Sequence, residues 1–321
     1  MSFLRKIYSF DFMGHRPWYF VLSGIVIGAG LVSLFVRGGG NPVHGLNYGL
    51  EFKEGTRIEV AFDQPVSLAD VRAVLAEAGH EDAQIQESSA VGGTSLPGFT
   101  IQVETLSPGQ QARLRDELDK AFTIATEDGS RVYAVRTVGP TFGSEVVTSS
   151  YEAALLALLL IVAYVTIRFD WKFAVGALSA ELHDLLVMIG VYSLSGREVT
   201  TATVAAVLTI LGYSLYDSVI ISDRIRENSK KLARMSYAAL VNRSLSETLT
   251  RSLITSFTTL LPVLCLLFFG GTTLTDFAFA LTVGIISGAY STIFISSPIV
   301  TSLKEREPQY RRLMARADQE A

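Results

Sequence analysis

A single cysteine, Cys265, in 321 residues excludes an intrachain disulfide and any zinc site built on paired thiolates. Histidine is almost as scarce, and His44 and His80 stand apart with no metal-ligand spacing around them. No glycine-rich phosphate loop and no nucleophile-base arrangement occurs, so the sequence predicts no enzyme, no bound cofactor and no metal. Charge is low as well. Asp, Glu, Lys and Arg make up 18% of the chain, where a soluble protein carries about a quarter.

What fills that space is apolar. Hydrophobic residues reach 49% and mean hydropathy is +0.35. They fall in blocks at 18–36, 153–167, 173–194, 199–221, 249–269 and 277–300, each able with its flanks to supply the roughly 20 residues of a bilayer-spanning helix. The prediction is a polytopic α-helical membrane protein with six transmembrane helices. The first block is longer than a signal-peptide core, and no small-residue cleavage site follows in 37–42, so an uncleaved anchor is expected.

Short links rich in Lys and Arg stay in the cytoplasm during insertion. Arg5, Lys6 and Arg16 precede the first span, and Arg168 and Lys172 join the second and third. Arg224, Arg226, Lys230, Lys231, Arg234 and Arg243 join the fourth and fifth, and Lys304, Arg306, Arg311, Arg312 and Arg316 end the chain. The opposite links hold only Arg37 and Arg197. Both termini are therefore expected in the cytoplasm, as an even number of crossings requires. The divisions are a cytoplasmic segment 1–16, a first helix 17–37, an extracytoplasmic domain 38–143, helices two to six in 144–300 and a cytoplasmic tail 301–321.

The extracytoplasmic stretch has the polarity of a soluble domain. Period-two runs at 57–62, 83–87, 100–104 and 131–137 read as strands, with a short possible one at 46–52; 68–78 and 108–122 read as helices. The order β-α-β-β-α-β is the ferredoxin-like split pattern, an α+β domain with two helices on one face of an antiparallel sheet. Its fifteen acidic residues against eight Lys or Arg make nucleic acid an unsuitable partner. Its paired acids, such as Glu81 and Asp82, read as solvated surface. A binding or mechanical role fits it better than catalysis.

Charges inside the spans cost about 2.5–3.5 kcal/mol each by insertion scales, so each needs a partner, water or a function. Asp217 sits near the end of the fourth block, six residues before Asp223, which with Arg224 marks the aqueous boundary. Thr209, Tyr213 and Asp217 recur every four residues on one helix face. Arg251, Thr255 and Thr258 or Thr259 form a matching face on the fifth, and the opposed helix directions bring Asp217 and Arg251 to one depth, where an ion pair is expected. A structural salt bridge and a proton-exchanging carboxylate both satisfy that geometry. Glu181, His183 and Asp184 lie roughly halfway along the third span, counting 1.5 Å per residue from Lys172. They read either as a functional cluster, since His183 can change charge near neutral pH, or as polar glue between helices. Gly24 with Gly28, and Gly284 with Gly288, offer small-residue faces for close helix contact.

Three segments, 212–228, 168–176 with His183 and Asp184 after it, and 247–259, resemble the SecF family of the resistance-nodulation-division superfamily. The likeness covers nearly the whole chain. It implies an accessory subunit of bacterial Sec protein export in the cytoplasmic membrane, working beside SecD and the SecYEG channel on unfolded preproteins and powered by the proton motive force. It also implies that Asp217 and Arg251 are the coupling pair; Tyr213, Thr255, His183 and Asp184, from their places on the spans, are the supporting polar candidates. One departure stands out: where the family shows G-x-D-F-x-G-G, this chain reads Gly49-Leu50-Glu51-Phe52-Lys53-Glu54-Gly55. Two other classes share the membrane pattern, a proton-driven exporter of small molecules or lipids and a passive scaffold.

Overall fold

The computed structural model describes residues 10–88, 91, 94, 96–231, 235–308 and 310. Arg5, Lys6, Arg234, Arg311, Arg312 and Arg316, used above for orientation, lie outside the described residues. The chain forms two compact units, one of residues 1–47 and 151–321 and one of residues 48–150.

The first unit is a helical bundle. Among the described residues, six helices are long and apolar enough to cross a membrane. They run Arg16–Arg37, Pro140–Arg168, Trp171–Ser195, Thr201–Lys231 and Tyr237–Phe269, with the sixth built from Gly271–Ser291, a wide π turn Thr292–Ser296 and Ser297–Lys304. Local chemistry sets their ends. Pro17 opens the first, where a missing N–H costs nothing. The third closes at Gly196 with φ 67°, a conformation that glycine adopts without strain, and the Gly196 N–H caps the Tyr192 carbonyl. The π turn precedes Pro298, whose ring displaces the carbonyl four residues back, and the Ser297 hydroxyl donates to the Thr292 carbonyl at 3.1 Å.

Two apolar clusters hold the bundle. Phe169, Phe173, Ile225, Leu240, Leu245 and Ile293 fill one. Met188, Tyr192, Ile210, Val263, Leu281 and Ile285 fill the other. The second span is the outlier: Ile161 and Val165 are buried, while Leu155, Leu156, Leu159, Leu160 and Ile167 face outward. Near the Arg168 end, Lys304 bridges Asp170 at 2.6 Å and Glu307 at 3.0 Å, and Lys172 meets Glu307 at 2.5 Å. Burial alone would raise the Asp170 carboxyl, but the Lys304 hydrogen bond and the nearby ammonium charges outweigh it and hold Asp170 below the usual range.

The expected small-residue contact on the first span is misplaced. Gly24 and Gly28 have open space where a side chain would sit. Gly30 instead packs backbone to backbone on Gly190 of the third span, and a Cβ on either would strike the other's Cα. In the sixth span the expectation holds: Gly284 lies against Ile210, and Gly288 against Ser214.

In the second unit, β1 (Gly55–Val60), β2 (Gln84–Ser88), β3 (Gly98–Val103) and β4 (Tyr133–Val138) form an antiparallel sheet in the order β2-β3-β1-β4. Register pairs Ile58 with Ile101 and Val135, and Val60 with Phe99 and Tyr133, so apolar residues share one face. Helices α1 (Leu68–Glu77) and α2 (Pro108–Phe122) bring Val71, Leu75, Leu114 and Leu118 onto that face. Ser67 caps α1, and Ser107 with Gln110 forms a capping box on α2. The stretch 46–52 includes the expected short strand, at Asn47–Tyr48, and then enters a helical turn at Leu50–Lys53.

That turn ends on Glu54, at φ 58° and ψ 164°, followed by Gly55 at φ 124°. The first pair of angles falls in a region populated almost only by glycine, and a side chain held there costs about 1–3 kcal/mol. Glu54 is exposed, so it gains no packing in return. Glu54→Gly is therefore expected to strengthen this unit by about 1 kcal/mol, seen as roughly fivefold slower hydrogen exchange of the β1 amides in the intact protein. Unchanged or faster exchange would refute the strain.

Candidate functional site

The polar interior of the bundle is made of small hydroxyl residues around two acids. Asp217, on the fourth span, is 4% exposed, and its Oδ2 accepts a 2.5 Å hydrogen bond from Ser252 on the fifth. One turn away, Tyr213 donates to the Ser256 hydroxyl at 3.1 Å. Ser218 and Thr292 approach to 3.4 Å, tying the fourth span to the π turn of the sixth.

The expected ion pair is not formed. Arg251 is exposed and makes no ion pair among the described residues; it lines a cavity of about 460 Å³ with Tyr164, Arg168, Asp223, Glu227 and Glu247. Adjacent helix positions are about 100° apart, so the fifth-span face that meets Asp217 carries Ser252 and Ser256, not Arg251 and Thr255. Thr255 bonds back to the Ser252 carbonyl at 2.9 Å, and Thr209 to that of Ala205 at 2.8 Å. At the rim of the cavity Arg224 joins Glu247 at 2.7 Å and Glu227 at 2.6 Å.

The serines that do the packing were missed by the sequence reading. Their signal is present: Ser214, Ser218 and Ser222 recur every four residues on the fourth helix, and Ser244, Thr248, Ser252 and Ser256 on the fifth. Small hydroxyl residues at that spacing mark close helix interfaces in a bilayer, where a large cation is costly to bury.

His183 and Asp184 form a second centre on the third span, with exposures of 7% and 3%. Asp184 Oδ1 accepts from Ser287 at 2.5 Å, and Oδ2 from Ser214 at 3.0 Å and Ser291 at 2.8 Å. The His183 ring stacks on Tyr290, its Nδ1 lies 3.2 Å from Asp184 Oδ1 and its Nε2 lies 3.1 Å from the Ser23 hydroxyl. Glu181, one turn before Asp184, is fully buried, and neither carboxyl oxygen has a hydrogen-bond partner among the described residues. An acid left so cannot carry a charge cheaply.

The arrangement can bind and release protons at carboxylates shielded from bulk water. Among the described residues no cluster of three His, Cys, Asp or Glu side chains is placed to hold a metal.

Two family models match the chain: "Protein export membrane protein SecD/SecF, C-terminal" over residues 119–306, and "SecD/SecF GG Motif" over residues 42–66. The second span of residues contains the strained turn at Glu54. Among relatives, the chain is 38% identical to protein translocase subunit SecF of Thermodesulfovibrio yellowstonii, covering 91% of this chain and 94% of that one. It is 35% identical to SecF of Escherichia coli O157:H7, over 93% and 88%. With protein translocase subunit SecDF of Thermus thermophilus it shares 40% identity over 92% of its own length but spans only 39% of that longer protein. The crystal structure of SecDF, described as a translocon-associated membrane protein from that genus, superposes with a TM-score of 0.78 at 36% identity, over 92% of this chain and 39% of that one.

Proposed function

The chain belongs to the SecD/SecF family of protein export membrane proteins, and on that premise we propose that it is the SecF-type accessory subunit of bacterial Sec-dependent export, coupling proton flow to preprotein movement. The observation that carries the coupling is Asp217: a carboxyl 4% exposed inside a spanning bundle, held by the Ser252 hydroxyl and forming no ion pair among the described residues. Such a group is costly to ionise and costly to leave without a purpose. Its charge changes with one proton, and with it the packing of the fourth span against the fifth.

In this mechanism water reaches the Arg251 cavity from the aqueous side, and Arg251 waits there as a fixed positive charge one residue from Ser252. Ionised Asp217 draws Arg251 and tightens the Ser252 hydrogen bond; protonated Asp217 keeps the Ser252 hydrogen bond but releases Arg251. Tyr213 and Thr255 steady the two helices, and His183 and Asp184 tie the third span to the first, fourth and sixth. One charge moved across 100 mV supplies about 2.3 kcal/mol, roughly fifty-fold in a two-state equilibrium.

The partners follow from the same reading. The chain spans 39% of a fused SecDF relative, which fits a separate SecD subunit as the complement, with the SecYEG channel, the unfolded preprotein and the lipid bilayer as the remaining contacts. The basic links favour both termini in the cytoplasm, and residues 38–143 then form an extracytoplasmic domain. Its sheet order and its two helices on one face fit the ferredoxin-like pattern. The test is secretion into inner-membrane vesicles from cells lacking this protein. Adding the chain back is expected to restore the extra export seen with a proton gradient. Restored drug efflux with unaltered secretion would favour a small-molecule exporter, and restored export without gradient dependence would favour a scaffold.

A further inference from the structure

We propose that His183 carries a proton on both ring nitrogens and forms with Asp184 an imidazolium–carboxylate pair, a second proton-holding site inside the membrane. The assignment comes from counting donors along one chain of hydrogen bonds. The Tyr19 backbone carbonyl can only accept, and it takes the single Tyr290 hydroxyl proton at 3.0 Å. Toward Ser23 the Tyr290 oxygen is therefore an acceptor, and Ser23 donates its own single proton to it at 3.2 Å. With that proton spent, Ser23 can only accept from His183 Nε2 at 3.1 Å, so Nε2 bears a hydrogen.

The other nitrogen faces Asp184 at 3.2 Å. Three hydroxyls, from Ser214, Ser287 and Ser291, already donate to that carboxyl. Three donors favour its ionised form, which is acceptor only, and toward that form Nδ1 brings a hydrogen too. The pair then balances its charges in a site with less than a tenth of either side chain exposed. The titratable groups around it are Glu181 on the same helix, Tyr19 on the first span and Tyr290 on the sixth. None of them is a cation. By distance and angle neither Glu181 oxygen has a partner among the described residues, and the imidazole lies against the Asp184 carboxyl instead.

The chain joins four spans: Tyr19 and Ser23 on the first, His183 and Asp184 on the third, Ser214 on the fourth, and Ser287, Tyr290 and Ser291 on the sixth. Removing one ring proton deprives Ser23 of its donor or Asp184 of one of its four, and the chain then reverses or opens. Ser214 lies three residues before Asp217, so the same helix feels both sites. This purpose rests on the proton-coupling reading; the protonation state does not.

The experiment uses the full-length protein, labelled with ¹⁵N-histidine, in lipid nanodiscs at neutral pH. There are four histidines, and the spectrum of His183→Gln identifies the signal of His183 by its loss. Expected are two protonated ring nitrogens for His183. Tyr290→Phe keeps the stacked ring but removes the acceptor of the Ser23 proton, so Ser23 can then donate to Nε2 and the second proton should be lost from most molecules. One bare ring nitrogen at neutral pH in the unsubstituted protein overturns the proposal, as does a Tyr290→Phe spectrum unchanged from it. Asp217→Asn separates the two ideas: it should retain the doubly protonated His183 signal whether or not export still responds to a gradient.

Discussion

Asp217→Asn is expected to lower export under a proton gradient to the rate measured without one, while leaving the gradient-independent rate intact. Asn has the same size and can still accept from Ser252, so the helices keep their packing and only the titration is lost. The proton's contribution, about 2.3 kcal/mol per 100 mV, corresponds to a bias of roughly fifty-fold, so the loss is far larger than a surface charge change produces. Vesicles containing equal amounts of the two proteins check it. Export that still responds fully to the gradient would place the coupling elsewhere.

The second large effect is structural. Gly190→Leu puts a side chain where the Gly30 backbone passes, and neither helix can yield without losing the first-span contacts around it. Overpacking of this kind costs about 1–3 kcal/mol. The same substitution at Gly24, which faces open space, is expected to cost nothing measurable. Thermal unfolding of both variants in one detergent checks the contrast, and equal midpoints would contradict the contact. Because the first span also carries Ser23, separation there should weaken the His183 hydrogen-bond chain as well.

Hydropathy was enough to find the six spans, since a run of about 20 apolar residues has few other uses. Helix 108–122 was legible to the residue from its apolar pattern, and the structure adds the capping box of Ser107 and Gln110 that fixes its start. What the sequence hid was rotational phase. Spanning helices are apolar on most sides, so the choice of Gly24 over Gly30 and of Arg251 over Ser252 followed the more conspicuous residues, while the fainter four-residue recurrence of serines on the fourth and fifth helices went unread. Asp217 and Asp184 were found because charge in lipid is conspicuous. Their serine partners were not, because a hydroxyl can satisfy itself on its own helix backbone, as Thr209 and Thr255 do here. Glu54 was visible as an oddity against the family pattern, but its strained backbone needed coordinates.

The central claim is that the Asp217 carboxyl gains and loses a proton within the bundle as the protein works. Infrared difference spectra of the full-length protein in lipid, recorded between neutral and mildly acidic solution, report this directly. The account predicts a protonated-carboxyl band that appears on acidification, fades on return, and is missing from the difference spectrum of Asp217→Asn. A spectrum identical for the original protein and the variant across the range in which export responds to a gradient would contradict it.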